Sequence, residues 1–499
     1  MRPWLYLLLP ALLSAGVHPV FERADAPAPT PLDRILAGHW QKLGIRAANP
    51  CSDAVFLRRA YLDVTGSLPS AADAAAFLKN PVRAALVERL LASDGFASYY
   101  AMKWSDLLRV KAEFPVNLWP NAAQAYYHWI RASLAANKPY DQFARELLTS
   151  SGSNFRDPAV NFYRALQSRE PQAVAQAVAL TFMGMRTAPA GMAGFFSQIG
   201  YKETKEWKEE IVFFDPAKKL ETAPVFPDGT QAMGMARRDP REVFAGWLTS
   251  PQNPYFARAI ANRVWSWLLG RGIVHEPDDF RPDNPPESPE LLAYLEKQLI
   301  ASHYDLKGTF REILNSNAYQ LSAIPANEDA AHFAAYPLRR LDAEVLADAV
   351  NGIAGTTESY TSAIPEPYTF MPDDQRAIEL PDGSITSAFL DLFGKPARDT
   401  GFESERNNRI TDAQRLHLLN STNIQRKLQQ GPHLAQMMRD IRDPRELINQ
   451  LYLTILSRYP SEDEWKLVQA HSQSGVRGAA AVFDLAWALI NSTEFLCRH

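Results

Sequence analysis

Cysteine is nearly missing from this chain: Cys51 and Cys497 are the only two among 499 residues. Neither belongs to a CxxCH run, so the two thioethers and axial histidine that hold a c-type haem have no place to form. G-x-S-x-G, H-E-x-x-H, P-loop and dinucleotide fingerprints are also lacking, which removes the usual supports for acyl-transfer, metallopeptidase and nucleotide chemistry. Cationic excess is missing too. A formal net charge of −4 supplies no broad positive field to concentrate a polyanion, so nucleic acid is disfavoured as a partner. Beyond the first residues, no apolar run approaches the length needed to cross a bilayer.

What is present is globular in balance, with 46% hydrophobic and 22% charged residues. Met1-Arg2-Pro3-Trp4 followed by LYLLLPALLSAG reads as a signal peptide within residues 1–20, with an uncleaved anchor as the alternative. Its removal leaves no membrane span, and export places the protein in the periplasm or outside the cell. A Pro/Ala linker over 21–31 follows.

The remainder reads as mainly α and multi-helical, with a small β-hairpin excursion near the middle. The expected units are an N-terminal helical domain over 32–200, a β-containing connector over 201–235, a second helical domain over 236–430 and a C-terminal helical unit over 431–499. Trp104, Leu107 and Leu108, like Tyr126, Trp129 and Ile130, have the spacing of packed helix faces, and His128 beside them reads as a structural histidine. Arg59 and Asp63, one turn apart, read as a helix-surface ion pair. The stretch Pro240–Ser322 is the most distinctive. A helix from about Tyr255 to Leu269 carries an apolar stripe with Arg258, Asn262 and Arg263 beside it, ends at Gly270, and is followed by a loop that restarts at Ser288-Pro289. Residues 356–382 read as a long exposed loop.

Two spellings recur. Tyr61-Leu62 precede Pro69-Ser70 and Asp73 as Tyr452-Leu453 precede Pro460-Ser461 and Glu464. Paired aliphatics, one residue, a serine and an aromatic three further on occur at Leu90…Phe96, Ile313…Tyr319 and Leu489…Phe495, which argues for reused helix–loop–helix units.

The segments LRRAYLDVTGSLPS, YAMKWSDLLRVK, NFYRALQSREPQAVAQAVALTFMGMR, NPYFARAIANRVW, GRGIVHEPDDF and LFGKPARDTGFESER carry a family resemblance. The chain resembles large secreted proteins of planctomycete cytochrome-associated type, which carry two adjoining domains of unknown function. The resemblance implies export and association with cytochrome-like domains, and it implies no established reaction. Many relatives carry a CxxCH-type run after the FMGMR-like motif; here Met185-Arg186 pass directly to TAPAGMAGFFSQIG. Gly401-Phe402 stand where relatives often have cysteines, and Ser288 where they commonly have histidine.

The candidate polar cluster is Arg258, Asn262, Arg263, Asp278, Asp279, Arg340, Glu344, Glu405 and Arg406, with Glu403 beside the last two. Paired carboxylates suit glycan hydrolysis, through Asp278/Asp279 and Glu344/Glu405; arginine–carboxylate forks equally suit a structural network. Among His275, His303, His332 and His417 no pair has metal-ligand spacing, and Asp278, Asp279 and Asp283 lack EF-hand order although their loop suits calcium. No metal and no cofactor are assigned. The leading expectation is an exported noncatalytic scaffold or binding protein working beside other envelope or secreted proteins, with Cys51 and Cys497 placed to pair if the repeat-like units pack side by side.

Overall fold

The computed structural model describes residues 17–220, 222–233, 238–326 and 332–499. Residues 1–16 of the expected signal segment lie outside them. Among the described residues no helix is long and apolar enough to cross a membrane. The chain is mainly α-helical, with one three-stranded sheet and a two-stranded ladder among the described residues.

Signals visible in the sequence set the helix ends. Thr30 and Asp33 exchange side-chain and backbone hydrogen bonds in a closed capping box at the start of the helix Pro31–Leu43. The central helix runs Phe256–Leu269, because Asn253 Oδ1 accepts from the amides of both Tyr255 and Phe256. Its end is fixed by Gly270 at φ +73°, where an added Cβ would also lie 2.2 Å from the Arg339 side chain. Ser288 accepts from the Leu291 amide and starts the helix Pro289–Ala301, with proline in the first turn, where its missing N–H is not needed. Each such side-chain cap contributes about 1 kcal/mol.

The recurrent endings share one device. The hydroxyls of Ser93, Ser316 and Ser492 donate to the carbonyl three residues back, at 2.7, 2.7 and 2.6 Å. Each serine thereby satisfies a helix-terminal carbonyl, and Phe96, Tyr319 and Phe495 turn into the core, all at most 1% exposed. In the other recurrence, Ser461 and Glu464 close a full capping box. Ser70 caps its helix without that return bond, because Asp73 spends its shorter carboxylate on the Ser70 hydroxyl and Arg89.

The middle excursion is an antiparallel hairpin, Ile199–Glu203 against Glu210–Phe214, with Ile199 opposite Phe214. A short strand, Gly152–Ser153, adds to its other edge and ties the excursion to the preceding helices. Far along the chain, Arg339–Arg340 pairs with Cys497–Arg498 and draws the C-terminus against the second half of the molecule.

The main apolar core runs from Leu32 to Phe495. Trp104 is central to it, with Phe143 at 5.1 Å and Trp267 edge-on at 6.0 Å, so aromatic packing crosses between the two halves of the chain. Trp129 is only part-buried and stacks on Phe143 at 4.9 Å, and His128 is exposed, not a packed core histidine. Residues 356–382 are not wholly exposed: Asp348 accepts from the amides of Ala377 and Ile378 and draws that turn, with both side chains buried, onto the helix Ala343–Ala354.

The cysteines do not pair. Both are buried free thiols. The backbone of Cys51 is held by the Gln320 carbonyl and the Arg83 guanidinium, whereas Cys497 lies in the ladder opposite Arg340, so packing gives each sulfur a different setting.

Candidate functional site

Asn262 and Arg263 are both buried on the central helix. Asn262 serves as a surrogate backbone: its Nδ2 donates to the Val274 carbonyl at 3.1 Å and its Oδ1 accepts from the Val274 amide at 2.9 Å. The loop after Gly272 is thereby folded tightly onto the helix, and a Cβ on Gly272 would lie 2.2 Å from the Val274 carbonyl. Arg263 Nη2 donates to Asp278 Oδ1 at 2.6 Å, and Nη1 donates to the Thr181 carbonyl at 2.8 Å. Asp278 Oδ2 accepts from the Glu403 amide at 2.7 Å. The Glu403 carboxylate closes the circle, 3.5 Å from Arg263 Nε and accepting from Trp267 Nε1 at 2.7 Å. Burial raises the Glu403 carboxyl to about 7; Arg263 opposes the rise and Asp278 adds to it.

Asp279 does not share this setting. Adjacent side chains in the non-helical loop face opposite ways, so Asp279, though buried, meets the exposed Arg281 at 2.8 Å and Arg186 at 3.8 Å. The calcium arrangement fails for the same reason. Asp278 is turned inward to Arg263, while Asp279 and Asp283 share Arg281, whose guanidinium occupies the position a cation would take. Arg258 also stands apart, paired with Glu296 at 3.2 Å on a part-exposed face.

A second group centres on Arg406. It grips Glu344 with both terminal nitrogens, at 2.6 and 3.0 Å, and reaches Asp106 Oδ2 at 2.7 Å. Arg398 takes the other Asp106 oxygen at 2.9 Å. The neighbouring Asp342 accepts from Tyr99, Lys103, Arg498 and Asn408 at 2.6 to 3.1 Å. Burial alone would raise its carboxyl, but the charges of Lys103, Arg498 and Arg406 hold it well below the usual carboxylate range. Arg498 carries the network on to Asp63 at 2.9 Å, whose other oxygen accepts from the Tyr319 and Tyr336 hydroxyls. Arg59 is therefore not the partner of Asp63 in a surface pair. Both are buried, and Arg59 lies over the Tyr336 ring at 3.7 Å and donates to the His499 carbonyl at 2.9 Å.

Arg340 and Glu344 do not meet as one-turn neighbours. Arg340 lies in the short ladder before the helix and donates to the Phe393 and Asn407 carbonyls at 2.6 and 3.0 Å. Glu405 accepts from the Asp399 and Thr400 amides at 2.9 and 3.0 Å and locks its own loop. Although burial raises its carboxyl, these donors and the Thr400 hydroxyl bring it below the usual range. The structure thus joins Arg263 with Asp278, and Glu344 with Arg406, and leaves Arg258, Asp279, Arg340 and Glu405 in separate settings.

A different cluster has no local sequence signal. His39 Nε2 lies 3.3 Å from Glu287 Oε1, and His332 Nδ1 contacts the same oxygen. The three residues come from segments 248 and 45 residues apart, so no i,i+3 or i,i+4 search finds them.

Comparison with known families finds two matches in sequence order. Residues 31–191 match PSCyt2, a protein of unknown function (DUF1549), and residues 240–472 match PSD1, a protein of unknown function (DUF1553). No curated protein and no solved structure matches the chain. With both domains present in sequence order, the chain belongs to the proteins in which these two domains of unknown function adjoin.

Proposed function

We propose that this is an exported, noncatalytic scaffold or binding protein of the cell envelope. The observation that carries the reading is the state of the carboxylates. Asp278 and Glu344 are each paired with an arginine and buried, Asp279 is buried and paired with Arg281, and Glu405 is engaged by backbone amides. Neither Asp278/Asp279 nor Glu344/Glu405 is arranged as a proton donor and a base across a shared opening, which glycan hydrolysis needs. The same bonds fasten loops to helices over long sequence distances, and a rigid scaffold requires that. The apolar leader supports export.

The test combines location and turnover. A fusion of the full chain to a reporter active only outside the cytoplasm is expected to be active. Purified protein incubated with peptidoglycan and with extracellular polysaccharide is expected to release no reducing ends above buffer. Release that disappears in Asp278→Asn would overturn the scaffold reading in favour of a hydrolase.

A further inference from the structure

We propose that His39, Glu287 and His332 form a mononuclear site for a divalent transition-metal ion of the zinc class. The ligand-capable atoms of all three lie within 4.8 Å of one another. Two ligands about 2.1 Å from a tetrahedral centre are separated by about 3.4 Å, and His39 Nε2 and Glu287 Oε1 are 3.3 Å apart. Two imidazoles with one carboxylate suit zinc, cobalt or iron(II) and do not suit calcium or magnesium, which take oxygen ligands.

The surroundings hold each donor in place. His39 stands near the end of the capped Pro31–Leu43 helix, and its neighbour Trp40 donates from Nε1 to the His332 carbonyl at 2.8 Å, so one helix turn supplies a ligand and pins another. The Glu287 amide donates to the Ile273 carbonyl at 2.7 Å, one residue before the Ser288 cap. The side chains retain 15%, 22% and 23% exposure, which admits an ion and leaves a coordination position for water. An ion here bridges the first helix, the loop leading into the Pro289–Ala301 helix and the segment that begins at His332, and so clamps residues that belong to both halves of the chain. The site stands whether or not the protein is a scaffold, because no residue of the carboxylate argument above takes part in it.

The test uses the full mature chain, purified without a histidine tag, stripped with chelator and titrated with Zn²⁺ and Co²⁺. One equivalent of Zn²⁺ is expected to bind and to raise the melting temperature, and Co²⁺ is expected to give visible d–d bands. His39→Ala and Glu287→Gln are each expected to weaken binding at least about tenfold, whereas His128→Ala, at an exposed position elsewhere, is expected to leave it unchanged. Circular dichroism checks that the variants fold. If they do not, X-ray absorption on cobalt-loaded wild type decides: two imidazoles in the first coordination sphere support the site. Absence of stoichiometric binding, retention of affinity in the His39→Ala, Glu287→Gln double variant, or a sphere without imidazole would overturn it.

Discussion

Arg406 and Glu344 form a two-pronged ion pair, at 2.6 and 3.0 Å, across 62 residues of chain. The same guanidinium also reaches Asp106, so one side chain neutralises carboxylates from two helices. Burial would lower its affinity for a proton, yet Asp106, Glu344 and Asp342 raise it well above the ordinary value. Arg406→Ala would strand buried carboxylates and is expected to lower stability by about 3–5 kcal/mol in urea denaturation. Arg406→Lys keeps the charge and loses the fork, so an intermediate loss is expected. Equal midpoints for wild type and the alanine variant would show that the pair carries no stability.

Arg263 and Asp279 separate two readings of one loop. Because Arg263 is bonded to Asp278 in the interior, Arg263→Ala is expected to cost about 3–5 kcal/mol. Asp279→Ala removes a carboxylate that is 10% exposed but whose main partner, Arg281, is 56% exposed and screened by solvent, and is expected to cost less, about 1 kcal/mol. Chemical denaturation of the two variants side by side checks the order.

Glu403 gives stability an unusual pH dependence. Its carboxyl rises from 4.5 to about 7 on folding, mainly through burial. Between those values the folded state holds more protons than the unfolded state, so this group's contribution falls as pH rises through the window. Part-buried His499, pushed down to about 4 by desolvation, acts in the opposite direction, and the informative quantity is therefore the difference between wild type and Glu403→Gln. Wild-type stability relative to the variant is expected to drop by roughly 1–2 kcal/mol from about pH 5 to 7. A difference that is flat with pH would remove Glu403 as the titrating group.

The two thiols are expected to react with a disulfide reagent only after unfolding, because Cys51 and Cys497 are at most 1% exposed and burial raises the Cys497 thiol. Reductant is expected to leave the melting temperature of protein prepared from an oxidising compartment unchanged. Non-reducing peptide mapping that recovers a Cys51–Cys497 peptide would contradict the free thiols.

Sequence alone determined what depends on neighbours along the chain. Helix starts at Thr30, Asn253, Ser288 and Ser461, the stop at Gly270 and the serine–aromatic endings are local hydrogen-bond and backbone problems that a few residues solve. The mainly helical class and the hairpin followed from periodicity and turn residues in the same way. Tertiary structure alone decided the partners of long polar side chains. Arg59, Asp63 and Arg340 each had a neighbour of opposite charge one turn away, and each instead bonds to groups distant in sequence. A flexible side chain several ångströms long can reach many positions, and burial favours the one that leaves the fewest donors and acceptors unmet. The meeting of His39, Glu287 and His332 is the extreme case, since only the packing of three separate segments brings their donor atoms together.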